Sequence, residues 1–168
     1  HSIGRAVRDD QGRIVKLMGT TQDITGQKEV EIRFRELFEN ISSGVAIYEA
    51  VDNGRDFIVK AFNKAGERID GQKRDTVIGR SILEVRPGIE VFGLLDVFRR
   101  VWRTGKPEQL PASKYSDDRI TCWYENYVYK LPSGEIVAVF DDISERKQAE
   151  DALRASELKL SSALEMAR

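Results

Sequence analysis

The chain has 168 residues, and 27 Lys and Arg against 28 Asp and Glu leave a formal charge of −1. That length favours one domain with appendages, and the charge balance supplies no single-sign field for nucleic acid or an anionic membrane surface. No apolar run approaches the ~20 residues that span a bilayer, the lone Cys122 leaves no intramolecular disulfide and fits a reducing, cytoplasmic setting, and His1 is the only histidine.

In chain order, residues 1–25 read as two strands around an Asp9-Asp10-Gln11-Gly12 turn. A two-stranded ribbon is marginal in water, so this hairpin is expected to pack on the complete domain or on a neighbouring copy. Residues 26–41 read as a charged connector helix in which Val30, Phe34, Leu37 and Ile41 follow 4-3-4 spacing. Gly44–Val51 alternates apolar and polar residues, Asp52-Asn53-Gly54 is a turn signal, and Phe57–Phe62 reads as the returning strand. Asn63 is placed to cap a short helix, Lys64–Ile69, which Gly71 ends.

Gly79 and Pro87-Gly88 punctuate an irregular middle section. Ile89–Thr104 carries Val91, Leu94, Leu95, Phe98, Val101 and Trp102 at helical spacing and closes on Gly105 and Pro107, which predicts one long helix. Three strands follow, Gln109–Tyr115, Arg119–Leu131 and Glu135–Asp142, with turns at Ser116-Asp117-Asp118 and Pro132-Ser133-Gly134. Strands, then helices, then strands predict an α+β domain on an antiparallel sheet.

Residues 22–31, QDITGQKEVE, return at 141–150 as DDISERKQAE, an offset of 119 from Asp23 to Asp142. The offset also pairs Ile24 with Ile143, Thr25 with Ser144 and Lys28 with Lys147. Upstream, Gly12-Arg13-Ile14-Val15 matches Gly134-Glu135-Ile136-Val137 once three residues are dropped. An internal repeat resets the domain boundaries. Residues 1–25 read as the terminal hairpin of a preceding unit, 26–41 as a connector, 42–143 as a complete domain, and 144–168 as an exit helix leading into a following unit.

The order of elements resembles a PAS domain over residues 37–143, and partially over 1–25. Asn63 with Ala65, Gly71 and Gly79-Arg80 resemble that family's landmarks. Leu131-Pro132-Ser133-Gly134 resembles its last hairpin, and Asp142-Ile143-Ser144 its closing Asp-Ile-Thr signature with Ser for Thr. The resemblance implies a five-stranded antiparallel sheet with short helices on one face around a small cavity, flanked by N- and C-terminal coiled-coil-type helices.

It also implies roles. Asp142, Ile143 and Ser144, with Asp23, Ile24 and Thr25, become signal-relay candidates, because an N-capping hydroxyl after a strand fixes the angle at which sheet turns into helix. In the exit helix Ala149, Leu153, Ser156, Leu160, Ala163 and Ala167 repeat the 4-3 spacing. With Val30, Phe34, Leu37 and Ile41 they form a candidate seam for a parallel homodimer; a monomeric helix packed on its own domain is the alternative.

Two registers are open for Arg119–Leu131. Comparison with the family's flavin-binding branch turns Cys122, Tyr124, Asn126 and Val128 inward, with Val59, Ala61, Phe98, Ala138 and Phe140 as further pocket candidates. Asn126 would orient a small organic ligand; a filled core without ligand is the other reading. The flavin–cysteinyl adduct of the photoreceptor branch needs a cysteine on a mid-domain helix, and Cys122 falls in a late strand. Haem needs an internal histidine. No metal ligands are grouped.

The resemblance implies a non-catalytic sensory and dimerisation module of a prokaryotic signalling chain, relaying to a downstream histidine kinase. The alternative is a ligand-free connector upstream of a cyclic-di-nucleotide synthase or a transcription-regulating output. Catalysis by Asp117, Asp118, Asp141 and Asp142 competes with their structural uses in turns and caps. Arg99, Arg100 and Arg103 read as the wet side of a helix rather than a nucleic-acid surface.

Overall fold

A computed structural model describes residues 2–21 and 25–166, which divide into two units at Phe38 and Glu39. In the first, β1 (Ser2–Arg8) and β2 (Ile14–Thr21) pair antiparallel. Asp9 closes their turn, its carboxylate accepting from the N–H groups of Gln11 and Arg13 at 3.0 and 2.9 Å. Helix α1 (Thr25–Asn40) follows, with the Phe34 and Phe38 rings stacked at 5.6 Å. Ile41 lies one residue past its end.

The second unit is built on a five-stranded antiparallel sheet. Its strands are β3 (Gly44–Val51), β4 (Asp56–Phe62), β5 (Glu108–Ser116), β6 (Thr121–Lys130) and β7 (Ile136–Asp142), in the spatial order β4-β3-β7-β6-β5. Between β4 and β5 run α2 (Lys64–Asp70), α3 (Arg74–Val77), α4 (Ile82–Val85), α5 (Ile89–Phe92) and α6 (Leu94–Thr104). Helix α7 (Ser144–Met166) leaves directly from β7.

Local chemistry accounts for most boundaries. The β3–β4 connection places Asp52, Asn53 and Gly54 at φ of 48, 54 and 77°, the region in which Asn and Gly are least penalised. A Cβ at Gly54 would lie 2.5 Å from the Trp102 ring, so glycine also permits α6 to close on this turn. Pro111 lacks an N–H and sits where the β5–β6 register shifts, on an edge strand that tolerates the lost bond.

The predicted single helix over 89–104 is two. Gly93 at φ 88° ends α5 and opens α6, redirecting the chain. The break leaves Val91 96 % exposed, although its spacing had placed it on the apolar face. Beyond the break the periodicity holds: Leu95, Phe98 and Val101 are fully buried against the sheet.

A candidate ligand chamber and two helix joints

Between the inner face of the sheet and the short helices lies a chamber of ≈ 40 Å³. The sheet contributes Val59, Phe62, Tyr124, Asn126, Ala138 and Phe140 to its wall. The opposite side holds Arg86, Ile89 and Phe92, with Asp70 from the end of α2. Burial of Tyr124, Asn126 and Val128 decides the register of β6, and Tyr127 on the other face is exposed.

Five of the pocket residues named from sequence therefore line the chamber: Val59, Tyr124, Asn126, Ala138 and Phe140. Ala61 does not. The β3–β4 pairing skips Lys60, and this bulge advances the alternation by one, so that Phe62 takes the inward position instead. Phe98 does not line it either; its ring lies against Tyr48 and Phe57, at 4.9 and 5.3 Å, as a filled part of the core. Cys122 is half-buried at the edge of the core, and burial pushes its thiol up, as for a small apolar residue.

Sequence reasoning missed the polar heart of the chamber. Arg86 and Asp70 form an ion pair that is largely withdrawn from water. The Tyr124 hydroxyl donates to the same Asp70 oxygen at 3.4 Å, and the Arg86 guanidinium lies over the Tyr115 and Tyr124 rings at 4.9 and 5.5 Å. Burial pushes the Tyr48 phenol up to about 12 and raises that of Tyr124 as well, so both stay protonated at neutral pH. Asp70 ends a seven-residue helix and Arg86 follows a four-residue one, elements too short for a periodicity from which an inward direction can be read.

Asp117 holds the turn between β5 and β6 beside this site. Burial would raise its carboxyl, but hydrogen bonds from the Tyr115 hydroxyl, the Ile120 and Arg119 N–H groups and the Arg119 guanidinium lower it from 3.8 to about 2. A folded-state value below the unfolded one stabilises fully above about pH 4 and is lost as pH falls through about 2. Asp117→Asn is expected to cost about 2 kcal/mol at neutral pH and to flatten that acid limb. Urea unfolding at both ends of the range measures it.

The exit joint is a bracket across two strands. Ile143 is buried, and its N–H donates to the Trp123 carbonyl at 2.8 Å. The Trp123 N–H in turn donates to the Ser144 hydroxyl oxygen at 2.9 Å. The Ser144 N–H is taken by the Asp142 carboxylate at 2.8 Å. The expectation that Ser144 caps its own helix is thus corrected: the aspartate caps the first N–H, and the hydroxyl binds the neighbouring strand. Beyond this point none of the α7 side chains is buried.

At the start of the second unit lies a carboxylate clamp not anticipated from sequence. Glu39 accepts both guanidinium nitrogens of Arg74, at 2.6 and 3.0 Å, and the Lys64 N–H at 3.1 Å. The Arg74 hydrogen bond holds the Glu39 carboxyl below its usual range. Thr25 opens α1, whereas Asp23, Ile24 and Ala167 lie outside the described residues. Asp141 accepts from the Ser43 hydroxyl at 3.0 Å, and Arg99 and Arg100 pair with Asp96 and Glu108. Among the described residues there is no His, Cys, Asp and Glu cluster able to hold a metal, and no helix long and apolar enough to cross a membrane.

A sheet that cups a chamber beneath short helices and passes its last strand into an outgoing helix defines an α+β domain of the PAS type. The family profile described as PAS fold matches residues 38–148, and the chain belongs to that family. No curated protein matches it. Among solved structures, a domain of a sensory box sensor histidine kinase/response regulator from Geobacter sulfurreducens is 18% identical, TM-score 0.54, covering 73% of this chain and 100% of its own. The Rhodobacter sphaeroides LOV protein is 13% identical, TM-score 0.58, covering 78% and 76%. The photoactive yellow protein domain of a Rhodospirillum centenum sensor histidine kinase is 15% identical, TM-score 0.53, covering 62% and 95%. These likenesses concern the fold.

Proposed function

We propose that the chain is a non-catalytic sensory and dimer-forming module of a multidomain prokaryotic signalling protein, relaying a change at the chamber through α7 to a downstream output domain, a histidine kinase. The observation that carries the reading is the exit joint. Trp123, whose backbone grips Ile143 and Ser144, adjoins Tyr124 in the chamber wall. A shift of β6 therefore acts on the root of a 23-residue helix, a lever of about 35 Å at ~1.5 Å per residue.

The occupant of the outer helix faces is a second copy. Val30, Phe34 and Leu37 are 67, 57 and 75 % exposed, and Leu153 and Leu160 are 63 and 62 % exposed. Together with Ala149 they keep heptad spacing, with Ile41 just past the end of α1, and a parallel coiled coil buries such a seam against its own equivalent.

Single cysteines at Leu153 and Leu160, on a Cys122→Ala background, are expected to form crosslinked dimers, while exposed positions off the seam do not. Ser144→Ala, which removes the partner of the Trp123 N–H, is expected to change the pattern of crosslinking along α7. A purely monomeric chain in sedimentation at the highest soluble concentration refutes the dimer, and a pattern indifferent to Ser144→Ala refutes the relay.

A further inference from the structure

Among the described residues, two buried side-chain nitrogen atoms lack a hydrogen-bond partner: Arg86 Nη1 and Asn126 Nδ2. Both residues line the same chamber. Buried polar groups are almost always paired, and one left unpaired bears its full desolvation cost. Two such atoms on one small cavity mark a place where an acceptor belongs. Asn126 is 4 % exposed, so bulk water does not serve it.

One Asp70 oxygen and both Asp117 oxygens are already engaged. The Asp70 carboxylate takes Arg86 Nη2 and the Tyr124 hydroxyl, and Asp117 takes the Tyr115 hydroxyl. The charge of Arg86 is likewise answered by Asp70. A carboxylate ligand would add a second negative charge to one cation in an apolar, water-poor site, with nothing to neutralise it. An uncharged acceptor meets both donors without that penalty.

Size narrows the class further. A space of ≈ 40 Å³ holds about three water molecules, and so a molecule of about three to five heavy atoms. Resting on the sensory reading above, we infer that the chamber binds a short neutral carbonyl compound, a ketone, aldehyde or primary amide. Its oxygen accepts from Asn126 Nδ2 and Arg86 Nη1, and its short apolar part lies against Val59, Phe62 and Ala138.

The test is a titration of isotopically labelled protein with 2-butanone, with propionate and 2-butanol as the anionic and hydroxyl counterparts. The Asn126 side-chain amide and the Val59 and Ala138 methyl resonances report binding. Butanone is expected to saturate these shifts in the millimolar range, with propionate at least about tenfold weaker at neutral pH. Asn126→Leu, which keeps the branching and heavy-atom number and lacks the unpaired donor, is expected to fold at least as stably and to weaken butanone about tenfold. Arg86→Gln tests the second donor.

Absence of saturable shifts with butanone overturns the inference, as does propionate or butanol binding as tightly. Butanone binding unchanged in a folded Asn126→Leu protein also overturns it. Each of these failures with the α7 crosslinking pattern intact sinks the ligand class alone. Loss of that pattern sinks the relay and leaves the ligand titration standing.

Discussion

Phe98→Ala is expected to lower the unfolding free energy by about 4 kcal/mol, the largest effect of any single truncation considered for this domain. The ring is fully buried on α6 and meets Tyr48 and Phe57 in tilted and edge-on contact. Truncation removes its transfer energy and opens a cavity that the close-packed sheet fills only partly. Urea unfolding should show a lower midpoint at an unchanged slope, the signature of lost stability rather than an altered unfolded state. Tyr48 separates Phe98 from the chamber, so the variant is also expected to enlarge that space.

The second large effect is expected at Asn63, where alanine should cost about 3 kcal/mol. Its side chain is fully buried and serves three backbone groups. Oδ1 accepts from the Val45 and Gly66 N–H groups at 2.9 and 2.8 Å, and Nδ2 donates to the Ser43 carbonyl at 3.1 Å. One residue thereby caps α2 and fixes the start of β3. Asn63→Asp keeps the acceptor and loses the donor, so it should recover part of the loss. Calorimetric melting of the three proteins orders them asparagine, aspartate, alanine.

Asn63 also shows how far sequence reading reached. Its role as a cap was legible because Asn before a short helix that ends in glycine is a local arrangement, settled by atoms a few residues apart. Its bonds to Val45 and Ser43 were not, since they depend on β3 and β4 pairing first. The same divide runs through the candidate site. Comparison with the family's flavin-binding branch turned both Val59 and Ala61 toward the chamber; Val59 lines its wall and Ala61 does not. The bulge at Lys60 is a product of pairing with β3, and alternation has no means of registering it.

Val91 fails for a related reason. Helical spacing through Gly93 is uninterrupted in the sequence, yet glycine adopts φ 88° at little cost and the chain turns there. Arg86 and Asp70 left no trace at all. A buried ion pair is visible only once the two segments that carry it face the same cavity.

By itself, then, the sequence determined the order of the strands, the capped helix that follows β4, the repeat that marks the handover from β7 to α7, and the apolar faces of α6 and the two long helices. Each follows from local propensity, periodicity or capping, which act within a few turns of chain. Only the tertiary structure decided which face of β6 looks inward, which residue follows the bulge into the chamber, and that Arg86 and Asn126 share it with donors to spare. Those are consequences of pairing and packing between segments distant in the chain, where one residue's shift in register exchanges the inside of the protein for its surface.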